Sequence, residues 1–410
     1  MYSHKKVVKK RRRTRPKLTV VAFIVAIFIC ALFVKMFLVL PVVQAKTDIK
    51  NVTITDAVSV PWPSYGQSAV GVKGYGVIAA SPNQESVPMA SVAKVVTALA
   101  ILEKKPLSKP GQGDQIYVSD SDAQIYDYYQ SHQGVVVDIK PGQSLAQYKA
   151  LQYMLILSAN NIADITANWA FGSQEQYLSY ANDMVQREGL KSIHLDDASG
   201  LSPKTVASAE DLIRLGELAL DNPTIAEIVA QESIDLPDGT NKINTNVFLN
   251  YEDNGVIGIK NGLTDEAGGV LLTAAKRVID SKEITVLAVV MGSQRYFDSQ
   301  KDAVALIDMT VPALSGAANI AAGTTVGYYD VPWAGTVEVI TKDSITLDKW
   351  TRALDPSAVS IQPFSGGVKE GEIVGTIRIQ DASGVEKTYD LALASTIKEP
   401  SIKWRIATIL

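Results

Sequence analysis

The hydrophobic and polar positions of the chain form three regions with different periodicities. Residues 18–43 are almost wholly apolar. Residues 70–315 carry β-like segments at both ends and helical periodicity between them. Within this region, residues 89–103 are apolar almost all round, which predicts a helix buried inside a domain. Strands first, helices in the middle and strands last predict an α+β fold for the region.

The middle region contains further predicted elements. Helices are predicted over residues 142–170, 177–188 and 209–219. Strands are predicted over residues 255–260, 269–275 and 283–291. The first helical segment is interrupted near Ser158, and a turn at Asn261 and Gly262 is predicted to join the first two strands.

The parts that flank this region are less regular. Residues 46–69 are polar and contain two prolines, which is typical of a linker. After about residue 315, alternating segments between Gly, Asp and Pro turns predict a small all-β domain over residues 318–400. The last ten residues, SIKWRIATIL, alternate between apolar and polar positions and predict a strand.

The charge distribution predicts how the apolar N-terminal segment is oriented. Residues 1–17 carry nine Lys and Arg and no acidic residue, whereas the rest of the chain has 30 basic and 43 acidic residues. Residues 18–43 are long enough for a bilayer, which needs about 20 apolar residues. The positive-inside rule then places residues 1–17 in the cytoplasm. We therefore expect a single-pass cell-membrane protein with an extracytoplasmic globular part, although Val43-Gln44-Ala45 also fits a cleavable signal segment.

Composition also excludes several classes of function. Outside the basic tail the chain is acidic, and nucleic-acid binding requires clustered basic residues, so we expect no nucleic acid as a partner. The only cysteine, Cys30, lies in the apolar segment, which excludes a disulfide framework and a thiolate metal site. The three histidines show no metal-ligand spacing such as H-E-x-x-H. We therefore expect neither a metal nor a cofactor.

Candidate chemistry begins with Ser91-Val92-Ala93-Lys94, at the start of the predicted buried helix. The spacing of three residues puts the hydroxyl and the amine on one helix face. A serine becomes a strong nucleophile when an adjacent base takes its proton, and a desolvated lysine with a lowered pKa can be that base. Such a motif arises by chance about once in a chain of this length, so an N-cap serine beside a solvated lysine is the alternative.

Two further motifs favour the interpretation of Ser91 and Lys94 as a nucleophile and its base. Ser158-Ala159-Asn160 follows the apolar MLIL at a helix break, where a hydroxyl could relay a proton and an amide could bind a peptide group. Lys260-Asn261-Gly262 follows GVIGI, where Lys260 offers a cation for a carboxylate and Gly262 allows a substrate to approach the backbone. Each alone is also compatible with simple turn chemistry. Their order, spacing and context together favour an active site.

At these residues the sequence resembles the penicillin-binding serine D-alanyl-D-alanine carboxypeptidases, low-molecular-mass penicillin-binding proteins related to class A β-lactamases. The resemblance covers most of residues 70–310 and includes the segments SVPMASVAKVVTAL, GQSLAQYKALQYMLILSANNIAD, DASGLSPKTVASAEDLIRL and GVIGIKNGLTDEAGGVLL. It implies a β-lactamase/transpeptidase-like catalytic domain over residues 70–315, with an antiparallel sheet flanked by helices. It also implies a smaller β-rich domain after it.

The resemblance assigns a chemical role to each motif. Ser91 would attack the D-Ala-D-Ala carbonyl, Lys94 would accept its proton, and Ser158 would pass a proton to the leaving D-alanine. Asn160 would hold the substrate backbone, and Lys260 would bind the terminal carboxylate and tune Ser158.

The remaining implications concern the third motif and the partners. The backbone N–H groups of Ser91 and Leu263, beside Gly262, would form the oxyanion hole. Peptidoglycan stem peptides would be the substrates and β-lactam antibiotics the covalent inhibitors.

One residue departs from the family pattern, which usually has Thr or Ser at the position of Asn261. An amide can still donate to a substrate carboxylate, but its reach differs, so recognition is expected to change by ~1–2 kcal/mol. Three alternatives stay open: a D-Ala endopeptidase, a β-lactamase and a non-enzymatic peptidoglycan-binding scaffold. A β-lactamase needs a general base such as a loop glutamate, and Glu188 and Glu210 lie in no recognisable motif of that kind.

Overall fold

The computed structural model describes residues 16–407, apart from residues 39, 50, 51, 53, 55–57, 108–112, 237, 251–253, 352, 353 and 381–384. The chain forms two compact units. The larger unit consists of Ile54–Ala318 and Leu347–Arg352. The smaller unit consists of Met1–Thr53, Asn319–Thr346 and Ala353–Leu410.

The secondary structure is mixed. The helices are α1 Pro16–Leu38, α2 Ala93–Lys104, α3 Asp120–Ser131, α4 Gln147–Leu155, α5 Asn160–Phe171, α6 Gln174–Arg187, α7 Ala209–Asp221, α8 Pro223–Val229, α9 Tyr296–Leu314 and α10 Ile402–Ala407. The strands as far as the end of the large sheet are β1 Ala45–Thr47, β2 Gln67–Val72, β3 Gly76–Ala80, β4 Val87–Pro88, β5 Gln115–Tyr117, β6 Ser144–Ala146, β7 Val206–Ala207, β8 Ser233–Asp235, β9 Asn241–Ile243, β10 Val256–Thr264, β11 Gly268–Ile279 and β12 Lys282–Ser293. The remaining strands are β13 Ala317–Ile320, β14 Thr325–Val331, β15 Gly335–Thr341, β16 Ile345–Asp348, β17 Val359–Ile361, β18 Ile373–Gln380 and β19 Glu386–Leu393.

The larger unit is built on an antiparallel sheet with the strand order β10-β11-β12-β2-β3. Residues 270–275 of β11 and 286–291 of β12 are all buried. Because alternate side chains of a strand point to opposite faces, this burial means that both faces of the sheet are covered. Helices α7 and α9 pack against these strands, as the sequence predicts for an antiparallel sheet flanked by helices.

Helix α2 is the centre of the helical part of the larger unit. It contacts α4, α5, α6 and α7, and its residues Ala93–Ala98 are buried. The prediction of a buried helix over residues 89–103 is therefore confirmed, as are the predictions of α6, α7 and the helix break near Ser158. A 3-10 turn, Ala90–Val92, precedes α2 and carries Ser91.

The predicted turn at Asn261 and Gly262 is wrong. Strand β10 runs through both residues, which pair with Leu271 and Val270 of β11, and the connection to β11 comes only after Thr264. Asn-Gly is typical of turns, but glycine also occurs in strands where another backbone approaches closely.

The smaller unit contains an antiparallel sheet with the strand order β1-β14-β15-β19-β18-β17. Strand β1 comes from the segment predicted as a linker, and its Lys46 pairs with Tyr328 of β14. The predicted strand at the C-terminus is wrong, because Ile402–Ala407 are helical. The ring of Trp404 packs edge-on against Trp333, and its indole N–H donates to a backbone carbonyl 3.1 Å away, which holds this short helix.

The apolar segment at the N-terminus is helical over Pro16–Leu38. Among the residues that the structure describes, no helix combines the length and the apolar character that a membrane crossing requires. The anchor over residues 18–43 stays a prediction, and the basic tail of residues 1–17 lies almost wholly outside the described residues.

Candidate active site

Ser91 occupies a tight junction between the 3-10 turn and α2. Two glycines from distant parts of the chain approach this junction. A Cβ on Gly200, which has φ +78°, would lie 1.9 Å from the carbonyl oxygen of Ala90, and a Cβ on Gly262 would lie 2.6 Å from the amide nitrogen of Ser91. Only glycine fits at either position. The loop that contains Gly200 and the strand β10 therefore converge on the backbone of the nucleophile candidate.

Lys94 is the second residue of α2, one turn after Ser91, and is fully buried. Its Nζ lies 2.9 Å from Ser91 Oγ, 2.9 Å from Asn160 Oδ1 and 2.6 Å from the carbonyl oxygen of Ser199. The amide oxygen and the carbonyl oxygen can only accept hydrogen bonds, whereas the serine hydroxyl can also donate. A neutral amine, with two N–H donors and one lone pair, satisfies all three contacts when the Ser91 hydroxyl donates to it.

The surroundings of Lys94 favour this neutral form. Burial lowers the pKa of Lys94 to about 7, and the nearby acidic residues Asp197 and Asp164 limit the fall, because their ionised forms favour the charged amine. A general base works best when its pKa lies near the working pH. The geometry and the electrostatics therefore both suit proton transfer from Ser91.

The second motif lies between α4 and α5, and its residues are placed differently. Asn160 begins α5, and its backbone N–H donates to the carbonyl of Val135 at 2.7 Å while its Oδ1 holds Lys94. Its Nδ2 makes no hydrogen bond to any described residue, so this donor is free for a substrate carbonyl. Ser158 is 7% exposed and has φ +66°, a left-handed conformation that is rare for serine. Its hydroxyl likewise has no hydrogen-bond partner within the described part of the chain.

The third motif brings a second buried lysine near the first. Lys260 is 1% exposed, and its Nζ donates to the carbonyl oxygen of Asn261 at 2.9 Å. Burial lowers the pKa of Lys260 well below its ordinary value, and Lys94 lowers it further when it is charged. No carboxylate of the described residues lies within ion-pair distance of Lys260. A bound anion would favour the charged form of Lys260 and could pair with it.

The side chain of Asn261 serves a purpose that the sequence did not predict. Its Nδ2 donates to the carbonyl of Thr245 and to the hydroxyl of Tyr296, and its Oδ1 accepts from the Thr245 hydroxyl at 2.8 Å. Both amide hydrogens are thus committed inside the protein, and the expected donation to a substrate carboxylate has no hydrogen left. Asn261 instead ties β10 to the segment before it and to the start of α9.

Sequence reasoning also missed the residues behind Lys94. Ser199, Asp164 and Tyr129 form a hydrogen-bonded cluster there. Asp164 follows Asn160 by four residues on α5, so its place on the same helix face could have been noticed. The link to Ser199 and Tyr129 depends on chain folding and leaves no trace in local sequence.

A model of the D-alanyl-D-alanine carboxypeptidase family matches residues 69–295, which is more than half of the chain. The chain belongs to this family. The family expectation from the three motifs is therefore confirmed.

Individual relatives are distant. The D-alanyl-D-alanine carboxypeptidase DacF of Bacillus subtilis is 26% identical over 216 residues, 52% of this chain and 52% of DacF. DacB2 of Mycobacterium tuberculosis is 29% identical over 207 residues, 49% of this chain and 66% of DacB2. The chain thus spans about half to two thirds of the lengths of these curated relatives.

A solved structure, the D-alanyl-D-alanine carboxypeptidase DacD from Francisella tularensis, superposes with a TM-score of 0.59 and 16% identity. The superposition covers 87% of this chain and 97% of that one. The likeness identifies the fold, which is that of the DD-peptidases and transpeptidases.

Proposed function

We propose that the protein is a serine D-alanyl-D-alanine carboxypeptidase that removes the terminal D-alanine from peptidoglycan stem pentapeptides. The observation that carries this proposal is the contact of Lys94 Nζ with Ser91 Oγ, because the other two partners of the amine can only accept hydrogen bonds. In the neutral form of Lys94, which burial favours, both N–H groups are used on these two acceptors and the lone pair is directed at the hydroxyl of Ser91. This is the arrangement of a nucleophile and its base.

In the first step the Ser91 proton moves to Lys94 Nζ while Oγ bonds to the carbonyl carbon of the penultimate D-alanine. Charge develops on the carbonyl oxygen, and the N–H groups of Ser91 and Leu263 stabilise it. The contact between Gly262 and the amide of Ser91 supports this assignment, since any side chain there would fill the space before that N–H.

The acyl-enzyme forms when the C–N bond to the terminal D-alanine breaks. The leaving nitrogen takes a proton through the hydroxyl of Ser158, which is free of other partners among the described residues. This proton is the one that Lys94 took from Ser91, and it passes through the Ser158 hydroxyl to the leaving nitrogen. Water then attacks the ester carbon and gives a proton to Lys94, the bond between this carbon and Ser91 Oγ breaks, and Oγ takes the proton from Lys94 as the acid product leaves.

Recognition of the substrate terminus rests on charge. Lys260 is buried close enough to Lys94 for a charge on Lys94 to lower its pKa, and Lys260 has no carboxylate partner among the described residues. A terminal carboxylate offers the missing negative charge. The same features suit the carboxylate and the strained amide of β-lactam antibiotics, which we expect to acylate Ser91.

The test is D-alanine release from a pentapeptide stem by the full-length chain, with Ser91→Ala as the control. Release that depends on Ser91 supports the proposal. Cleavage of a cross-linked dimer without release from the monomer would favour an endopeptidase, and rapid turnover of a penicillin would favour a β-lactamase. Binding of stem peptide without any turnover would favour the scaffold.

We propose further that residues 18–43 anchor the enzyme in the cell membrane, with the N-terminus in the cytoplasm and the catalytic unit outside. The support is the sequence itself, namely the uncharged run of residues 18–34 after nine basic residues. The chain should stay in the membrane pellet after alkaline carbonate extraction, and protease added outside should digest the catalytic unit. Release into the carbonate supernatant would contradict the anchor.

A further inference from the structure

A buried polar cluster lies directly behind Lys94 and takes no part in the mechanism above. Tyr129 Oη lies 2.8 Å from Asp164 Oδ2 and 3.1 Å from Ser199 Oγ. Ser199 Oγ in turn lies 2.6 Å from Asp197 Oδ2. The carbonyl of the same serine accepts a hydrogen bond from Lys94 Nζ. Ser199 therefore links the cluster to the proposed base.

The hydrogens in this cluster can be counted. Asp197 Oδ2 accepts from Ser199 Oγ and from the backbone N–H of Leu201 at 2.8 Å, and its other oxygen accepts from a threonine hydroxyl. A carboxylate, which only accepts, suits these donors. The single hydroxyl hydrogen of Ser199 is therefore used on Asp197. The contact between Ser199 and Tyr129 then requires the hydrogen of Tyr129.

Tyr129 has one hydrogen for its contacts with Asp164 and Ser199, so its direction decides the state of Asp164. If the hydroxyl hydrogen of Tyr129 points to Ser199, the 2.8 Å contact between Tyr129 Oη and Asp164 Oδ2 needs a hydrogen from Asp164. Its other oxygen, Oδ1, is buried and has no hydrogen-bond partner among the described residues. An unpaired carbonyl oxygen of a carboxylic acid is far less costly to bury than an unpaired oxygen of a carboxylate.

The surroundings of Asp164 act on its pKa in both directions, and burial prevails. Burial is the main cause that raises the pKa of Asp164 to about 7, and Asp197 adds to it, while the Tyr129 hydroxyl and Lys94 act in the opposite direction. The titratable groups that face it are Lys94 on α2, Tyr129 on α3, Tyr177 on α6 and Asp197 in the loop before β7.

We propose that Asp164 is a positioning residue that carries a proton in the resting enzyme and thereby keeps Lys94 neutral and able to accept the proton of Ser91. An ionised Asp164 would instead favour the ammonium form of Lys94, which cannot act as a base. The catalytic role of Asp164 rests on the proposed function. The protonation of Asp164 itself does not depend on that function.

The protonation is tested directly in the full-length chain. Nuclear magnetic resonance of carboxyl-labelled aspartates should contain one resonance that disappears in Asp164→Asn and titrates near neutral pH. A resonance of Asp164 that shows an ionised carboxylate down to about pH 5 would overturn the proposal. This result is obtained whether or not the protein has peptidase activity, so it separates this proposal from the proposed function.

The effect on Lys94 is tested through the pH dependence of acylation by a fluorescent penicillin. Asp164 gains charge as it titrates near neutral pH and then favours the ammonium form of Lys94, whereas Asp164→Asn stays neutral at every pH, so the acidic limb of the profile should move down by up to about one pH unit. Ser199→Ala keeps the carbonyl that holds Lys94 but frees the Tyr129 hydrogen for Asp164, which stabilises the carboxylate. The limb should then move up.

The opposite directions are the decisive feature, because a merely structural loss would lower the rate without moving the profile. Combining Asp164→Asn with Ser199→Ala should reproduce the profile of Asp164→Asn alone. Asp183→Asn, an exposed change of the same charge on α6, is the matched control and should leave the profile in place. Unmoved limbs in both single variants would refute the coupling between Asp164 and Lys94.

Discussion

Replacing Lys94 with methionine should change the pH dependence of stability as well as abolish acylation. Burial lowers the pKa of Lys94 to about 7, from about 10.5 in the unfolded chain. Between these values the unfolded state binds more protons than the folded state, so this lysine makes the folded state more stable as pH rises. Below about pH 7 both states bind the proton, and the unfavourable contribution is constant.

The magnitude follows from the two pKa values. One pKa unit corresponds to about 1.4 kcal/mol, so the wild-type chain should gain about 2 kcal/mol relative to Lys94→Met between pH 7 and about pH 9. Methionine has nearly the same shape, so the difference isolates the titration. Urea denaturation followed by tryptophan fluorescence, at a series of pH values, measures the difference in the free energy of unfolding.

The control is Lys191→Met, an exposed lysine of the same unit, whose stability difference should not change with pH. A constant difference between wild type and Lys94→Met over this range would refute a lowered pKa. It would also remove the argument that the amine is neutral and poised to accept the Ser91 proton. Acylation by a fluorescent penicillin should fall by about 10²–10⁴ in Lys94→Met, the usual contribution of a general base.

Three further predictions concern the neighbours of the nucleophile. Gly200→Ala should slow acylation at least about tenfold, since the new Cβ collides with Ala90, whereas Gly189→Ala has a similar φ and open space and should acylate normally. Asn261→Thr should lower the free energy of unfolding by about 1–3 kcal/mol, because buried hydrogen bonds are lost, and unchanged urea denaturation would contradict this. Lys260→Met should abolish the preference for a stem peptide with a free terminal carboxylate over its amide, measured as a ratio of kcat/KM, and an undiminished ratio would exclude Lys260 as the anion site.

The parts of the fold that sequence predicts are those with a strong apolar pattern. Helix α2 is apolar all round because it is surrounded by other helices, and β12 is a continuous apolar run because both of its faces are covered. Patterns that depend on one or two residues were less reliable. The alternation at the C-terminus predicts a strand, but the packing of Trp404 on Trp333 stabilises a short helix there.

The candidate site also contains residues that local sequence could place and residues that it could not. Ser91 and Lys94 could be placed together because they are three residues apart in one segment predicted to be helical. Gly262 was identified as a point of close approach, but its neighbour Asn261 was assigned to the substrate, although its amide is used inside the fold. The cluster of Tyr129, Asp164 and Ser199 joins residues up to 70 positions apart, and no local periodicity reports such contacts.

Strand β1 has a consequence for how the chain is made. It pairs with β14, so the sheet of the smaller unit joins residues synthesised before and after Ile54–Ala318, the main part of the larger unit. During translation, β14 is synthesised more than 270 residues after β1. Contacts this far apart in sequence form slowly. Most of the larger unit is thus synthesised before β1 can pair. A chain truncated after residue 318 would keep β1 with no strand to pair with, an exposed edge of the kind that promotes aggregation.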